Sequence, residues 1–302
     1  MGSISRGFRL AKASWTVVRQ DRELLVLPII SFFCSLAVVA VFALGAFGIG
    51  IPAEGETPSP LLYVLGFSFY VMLAFVTIYF NAAVIATAMK RLKGEDASIR
   101  DGLAAARAHI GQIFVWAVIT ATVGMILRAL QERAGFVGRI VVGIIGVAWN
   151  VVTFFVVPVL LFGDAGAVDG IKRSASLFRQ RWGEQFVGNA TISIAIMLVA
   201  IPVALIGVAI TAAAPIVGIP LLVIAIGGLI AIGAACTGVF NAALYRYATT
   251  GEASGAFSLE DMNSSFRPKG RRGGLFGGGS GGSTWTPPAS PGGAAPSRPD
   301  QP

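Results

Sequence analysis

The chain has 302 residues, 55% hydrophobic and only 13% charged, against about 25% charged in an ordinary soluble domain. That composition argues against a single water-soluble globule. The net charge of +8 does not point to nucleic acid, because the basic residues flank long apolar runs, where anionic lipid headgroups attract each Lys or Arg by about 1 kcal/mol.

In chain order, residues 1–23 form the first polar segment. Ile4, Phe8, Ala11 and Trp15 follow the spacing i, i+4, i+7, i+11, one apolar stripe on a helix, with Arg9 and Lys12 off or beside it. The apolar run 24–49 follows, too long and too far from the N-terminus for a signal peptide. Met1-Gly2-Ser3-Ile4-Ser5-Arg6 fails as a myristoylation signal, since Arg6 stands where Ser or Thr is required. A turn-rich segment with Glu54 and Glu56 leads to the run 61–89. Ile99, Leu103, Ala106 and Ile110 then repeat the stripe, and Asp101 stands at or near the N-cap of that helix, where a carboxylate suits the dipole. Next come the runs 110–127 and 140–162, separated by Arg128, Arg133 and Arg139. A third stripe, Ile171, Ala175, Phe178 and Trp182, carries Lys172, Arg173 and Arg179 and precedes the runs 186–213 and 216–245. The Gly-, Ser- and Pro-rich segment 251–302 cannot bury enough apolar surface to order itself.

Runs of about 18–25 apolar residues suit membrane-crossing helices. The expected fold is therefore all-α, a polytopic six-helix transmembrane bundle spanning 24–250. Twenty of the 23 Lys and Arg fall before the first run, between the second and third, between the fourth and fifth, or after the last. Positive loops stay cytoplasmic, so both termini are expected inside the cell membrane.

Phe80-Asn81-Ala82-Ala83, Trp149-Asn150-Val151-Val152 and Phe240-Asn241-Ala242-Ala243 recur in the even-numbered runs. The chain thus reads as three helical hairpins, each preceded by a cytoplasmic amphipathic helix. Such helices either lie in the headgroup plane or cap the bundle from inside. Arg9, Lys12, Trp15, Lys172, Arg173 and Trp182 are the candidate membrane-interface contacts. Asn81, Asn150 and Asn241 are the candidate polar positions within the membrane, as interhelical bonds or as the lining of a substrate path. Pro158 and Pro202 are candidate kinks.

No catalytic set is found. His109 is the single histidine, Cys34 and Cys236 lie in different runs, and a zinc site needs three or four ligands. No Walker-type phosphate loop or nucleophile elbow within the spans occurs. The carboxylates Glu95, Asp96, Asp101, Asp164 and Asp169 read as caps and ion-pair partners. No metal, no cofactor and no nucleic acid is expected. The expected partners are the bilayer's anionic headgroups, with a membrane-protein partner or a second copy of the chain.

Ser14-Trp15 with Asp21-Arg22-Glu23-Leu24-Leu25-Val26-Leu27-Pro28 resembles an uncharacterised family of prokaryotic six-span integral membrane proteins. So does Phe154-Phe155-Val156-Val157-Pro158, followed by Asp164, Lys172-Arg173-Ser174-Ala175 and Trp182-Gly183-Glu184. The likeness covers about residues 1–250 and is distantly similar to the membrane domain attached to some glycerophosphodiester phosphodiesterases. It implies location and architecture, with no catalytic residue to carry over. Three functions compete: a non-enzymatic bundle that organises or supports membrane components, a permease or lipid-handling transporter for a neutral or amphipathic substrate, and an intramembrane enzyme, which requires Asp164 or Glu95 to face another acid.

Overall fold

The computed structural model describes residues 3–21, 23–50, 57, 59–181 and 187–252. Side chains of residues 3–11, 178, 180–181, 187–195 and 198 are not described. Trp182, the Arg9 side chain, most of the first hairpin turn and the segment after residue 252 thus lie outside the described residues.

Ten helices follow one another, and no strand occurs among the described residues. They are α1 (Ser3–Gln20), α2 (Glu23–Ile49), α3 (Pro60–Leu92), α4 (Ile99–Ala108), α5 (Ile110–Arg133), α6 (Phe136–Val152), α7 (Val156–Phe162), α8 (Ala167–Arg181), α9 (Val187–Ala213) and α10 (Pro215–Thr250). Among the described residues, α2, α3, α5, the α6–α7 pair and α10 are each long and apolar enough to cross a membrane. In hydrocarbon every backbone group must be satisfied within the protein, and a helix does this within one segment. The chain therefore has the make-up of a multi-pass membrane protein. In α9 the described apolar stretch is the shorter Val199–Ala213.

The helices outlast the apolar runs, and the reason is electrostatic. α5 continues beyond Leu127 because Arg128 pairs with Glu132 one turn on, 3.0 Å away, and donates to the Tyr70 hydroxyl at 2.6 Å. α3 continues through Arg91, whose guanidinium lies 2.6 Å from Asp21 and 3.0 Å from Asp96. α10 runs on to Thr250 and stops at Gly251, whose φ of 75° is the left-handed cap that glycine adopts without penalty.

The fourth run is not one helix. It breaks at Thr153–Phe155, between α6 and α7. Pro158 explains the position, since a proline ring collides with the carbonyl four residues earlier, here that of Phe154. Pro202, by contrast, leaves α9 continuous.

One end of the bundle gathers α1, α4, α8, the start of α2 and the ends of α3, α7 and α10; we call it the collar end. Arg246 of α10 donates to the Leu92 carbonyl at the end of α3, and the Phe162 and Tyr245 rings lie 5.9 Å apart. Burial concentrates there. α3 is buried almost without interruption from Ala82 to Leu92, and only Val71 is buried in its earlier part. On α2 the buried residues are Leu24, Leu27 and Pro28, all near its start. At the opposite, hairpin end Leu44, Phe47, Leu61 and Ile216 are widely exposed, as side chains facing lipid are.

Candidate functional site

The collar helices dock through small residues one turn apart. Among the described side chains, Ser14 and Val18 are buried on α1, Gly102 and Ala106 on α4, and Ala167, Gly170 and Ser174 on α8. Small side chains allow helices to approach closely. A Cβ on Gly102 would land on Thr87 Oγ1 and lie 2.6 Å from the Ala83 carbonyl oxygen, so α4 sits directly on the backbone of α3. The bulky stripe read from the sequence is only partly engaged: Ile99 and Leu103 pack against the core, whereas Trp15 and Ile110 are exposed.

These helices connect cyclically. α4 packs on the end of α3 and α8 on α7, each the helix that precedes it, while α1 packs on α9 and α10. The collar's charges hold the arrangement. Arg173 of α8 donates to the Gly163 carbonyl at the end of α7, and Arg246 does the same for α3. A cation on the last carbonyls of a helix also complements its dipole. Lys90 lies 3.4 Å from Asp101, and Lys172 lies 3.5 Å from Asp169. Lys12, Lys172 and Arg179 are exposed. Asp101 is the third helical residue of α4 rather than its cap. Ser98 is the cap, and the two form a reciprocal box, Asp101 Oδ2 accepting the Ser98 N–H at 2.9 Å and Ser98 Oγ accepting the Asp101 N–H at 3.3 Å. The Ser98 N–H first, then its hydroxyl and Lys90, hold the Asp101 carboxyl below its ordinary range.

His109 joins α4 to α5, and its Nδ1 lies 3.0 Å from the Ala105 carbonyl, to which it must donate. Cys34 and Cys236 are both free thiols. Among the described residues no three His, Cys, Asp or Glu side chains come together.

The three asparagines do not converge. Asn150 is exposed on α6, its amide donating to the Gly146 carbonyl at 3.0 Å. Asn241 is 8% exposed, and its Oδ1 is buried without a hydrogen-bond partner. Asn81 Oδ1 is likewise buried and unpartnered, but Asn81 lines a cavity of about 290 Å³ between α2, α3 and α10.

Asn81 as the lining of a path was one of the two expectations for it; Ser31, Ser35 and Thr77, which line the cavity with it, were not among the expected polar positions. Ser31 and Ser35 line it from α2, and Thr77 and Asn81 from α3, each pair at the i, i+4 spacing that places two side chains on one helix face. The spacing was the available signal, but isolated hydroxyls in an apolar run usually bond back to their own helix, as Thr77 does to Leu73. The walls are set by two glycines of α10. A Cβ on Gly227 would meet the Phe32 ring at 2.7 Å, and one on Gly238 would meet Val84 at 2.5 Å. Phe32 and Val84 both line the cavity, with Ala231 and Ala234 between those two contacts on α10. Asn81 stands nine residues from Lys90, about 14 Å along the helix, close to half the depth of a hydrocarbon core of about 30 Å.

The model of a family of unknown function, DUF6159, matches residues 61–256, from the start of α3 to just beyond α10. No curated protein and no solved structure matches the chain.

Proposed function

The chain belongs to this family of unknown function, and on that footing we propose that it is a non-enzymatic bundle of the cell membrane that organises or supports other membrane components. Its carrying observation is how the collar uses its ionisable groups. Asp21, Asp96, Asp101, Asp169 and Glu252 each face a base, and Arg173 and Arg246 hold helix ends. Groups so engaged serve cohesion; acid–base chemistry needs a group free to reach its substrate. The bias of basic residues toward the collar supports cytoplasmic termini, and the exposed Lys12, Lys172 and Arg179 suit anionic headgroups. The α9–α10 pair supports six crossings, because Gly207 closes against Leu222 and Gly218 against the Thr211 backbone. The likeness to the membrane domain of some phosphodiesterases adds a membrane location and no chemistry. A second copy of the chain, or another membrane protein, is the partner in this reading.

The test is reconstitution of the purified full chain in vesicles, with topology reporters fused after residue 252. The reading expects no saturable solute flux, an inside reporter, and loss or mislocation of co-purifying membrane proteins when the chain is deleted. Saturable flux of a defined solute would overturn it. The cavity at Asn81 favours one other reading, a permease or lipid-handling protein for a neutral or amphipathic substrate. For it, flux must appear and must fall when Ala234→Leu narrows the cavity.

A further inference from the structure

We infer that α6 presents a docking face for a second copy of the chain, held by Asn150 pairing with the partner's Asn150. This deepens the bundle reading and rests on it: of the two partners that reading allows, the face of α6 fits another copy of itself.

The face is defined by what α6 leaves uncovered. Val142 is buried, and Trp149 stacks on Trp116 of α5 at 6.0 Å, so these two residues turn one side of α6 toward the bundle. Roughly 100° around the helix from that side stand Phe136, Ile140, Gly143, Val147 and Asn150. Their spacing, i, i+4, i+7, i+11, i+14, is the 3.5-residue repeat of a seam between two helices. Phe136 is 80%, Val147 61% and Ile140 50% exposed, and a Cβ on Gly143 would meet nothing within 4 Å. None of the five is charged, so identical faces do not repel. A seam without a second helix on it therefore runs along α6.

Asn150 identifies the occupant. It stands 11 residues from Arg139 and 12 from Phe162, roughly 17 and 18 Å along a helix, near the middle of a hydrocarbon core of about 30 Å. In that medium an amide without hydrogen-bond partners is costly. Asn150 Nδ2 gives one N–H to the Gly146 carbonyl at 3.0 Å, which leaves its second N–H and Oδ1 to be met. Lipid chains supply neither a donor nor an acceptor, whereas another asparagine supplies both. Every copy of the chain is threaded with its collar on the same side, so a twofold axis along the membrane normal sets two α6 helices parallel. Asn150 then lies level with the partner's Asn150. A single asparagine at a core position of a helix pair fixes register and pairing in this way, and Gly143 lets the two backbones approach closely.

The experiment is cross-linking of the full chain in membranes at limiting oxidant, with Cys34 and Cys236 changed to Ala and one new cysteine on α6. Val147→Cys lies on the seam. Ile145→Cys lies about 200° around the helix from it, although Ile145 is 49% exposed. A disulfide needs the two Cα atoms within about 7 Å, so Val147→Cys should give about tenfold more covalent dimer than Ile145→Cys. With Val147→Cys in place, Asn150→Leu should lower dimer formation about three- to tenfold, the worth of an interhelical hydrogen bond in a membrane. Asn150→Gln, which keeps a donor and an acceptor, should lower it less. Gly143→Leu enters open space in the single chain, so it should abolish the dimer while the yield of folded chain is unchanged. Equal linking at 145 and 147 overturns the proposal, as does a dimer indifferent to Asn150→Leu or Gly143→Leu. So does a seam cysteine that joins a different protein or stays unlinked, faced by lipid alone. Saturable flux with the cross-link present ends the bundle reading and leaves the interface standing; no flux and no cross-link does the reverse.

Discussion

Two junctions of this molecule begin from nearly the same local text and end differently. Phe80-Asn81-Ala82-Ala83 and Trp149-Asn150-Val151-Val152 each stand shortly before a collar helix docks. In the first, α3 stays helical through Leu92, Thr87 returns its hydroxyl to the Ala83 carbonyl at 2.9 Å, and Gly102 of α4 lies against both. In the second, the helix breaks at Thr153–Phe155, and a side chain from another element repairs the break. The Ser174 hydroxyl of α8 donates to the Val152 carbonyl at 2.6 Å and accepts the Phe155 N–H at 3.0 Å. A freed backbone group in a membrane bundle must find a partner inside the protein, and here α8 supplies it. The asparagines follow their helices: Asn81 lines a half-open cavity between helices, whereas Asn150 is exposed and bonds its own helix. Repeated sequence therefore does not imply repeated environment. What differs is Pro158, which has no counterpart eight residues after Asn81, where Met89 stands.

The sharpest way to break this contrast is Ser174→Val. It orphans the Val152 carbonyl and the Phe155 N–H together, at about 1–3 kcal/mol for each buried group. The expected loss is roughly 2–6 kcal/mol by equilibrium unfolding in mixed micelles, and no loss would mean that water repairs the break instead.

At the unbroken junction, Gly102→Ala should cost about 1–3 kcal/mol, because the new methyl meets backbone that cannot yield without moving α4. An unchanged midpoint would show that α4 docks more loosely than its position implies. The same substitution at Gly111, where a Cβ meets nothing within 4 Å, is the control and should not destabilise.

A smaller effect separates the asparagines. Asn150→Leu should shift stability by less than about 0.5 kcal/mol, as for an exposed position away from special features. A larger loss would show that the Asn150 bond to the Gly146 carbonyl steadies α6 ahead of its break.

The smallest expected effect is one of pH, at the α4 cap. The Asp101 carboxyl has its folded pKa lowered, so its contribution to stability is complete above the ordinary Asp value of about 3.9. It disappears as pH falls through the lowered folded value. The midpoint difference between the native chain and Asp101→Asn should therefore shrink as pH is taken from 6 down through 3. A difference that stays constant would mean that the carboxylate's charge is not what caps the helix.

Much of the fold could be read from residue order, because hydrophobic length and charge placement act locally. The runs 24–49 and 61–89 reappear within a few residues as α2 and α3. The stripes anticipated helices α1, α4 and α8, and Asp101 was placed within three residues of its true cap. The misses have particular causes. Ser174 carries no mark that distinguishes it from Ser176 two residues on; only the break in α6–α7 gives it a role. Ser31, Ser35 and Thr77 look like ordinary tolerated hydroxyls in apolar runs. Arg173, read as a lipid contact, has its guanidinium on the Gly163 carbonyl, a partner visible only once α7 and α8 are folded together.

The division between the two sources of information has a physical basis. Apolar runs, basic flanks and a Ser-x-x-Asp box act within a turn or a span, so residue order alone sets the helices and marks this as a membrane chain. Which faces meet depends on what approaches from elsewhere: Gly227 admitting Phe32, Gly238 admitting Val84, α8 closing the break beside Pro158. Those approaches join residues about 150 to 200 positions apart in the cavity and about 20 apart at the break. Only the assembled bundle could show that Asn81 opens onto a cavity shared with α2 and α10.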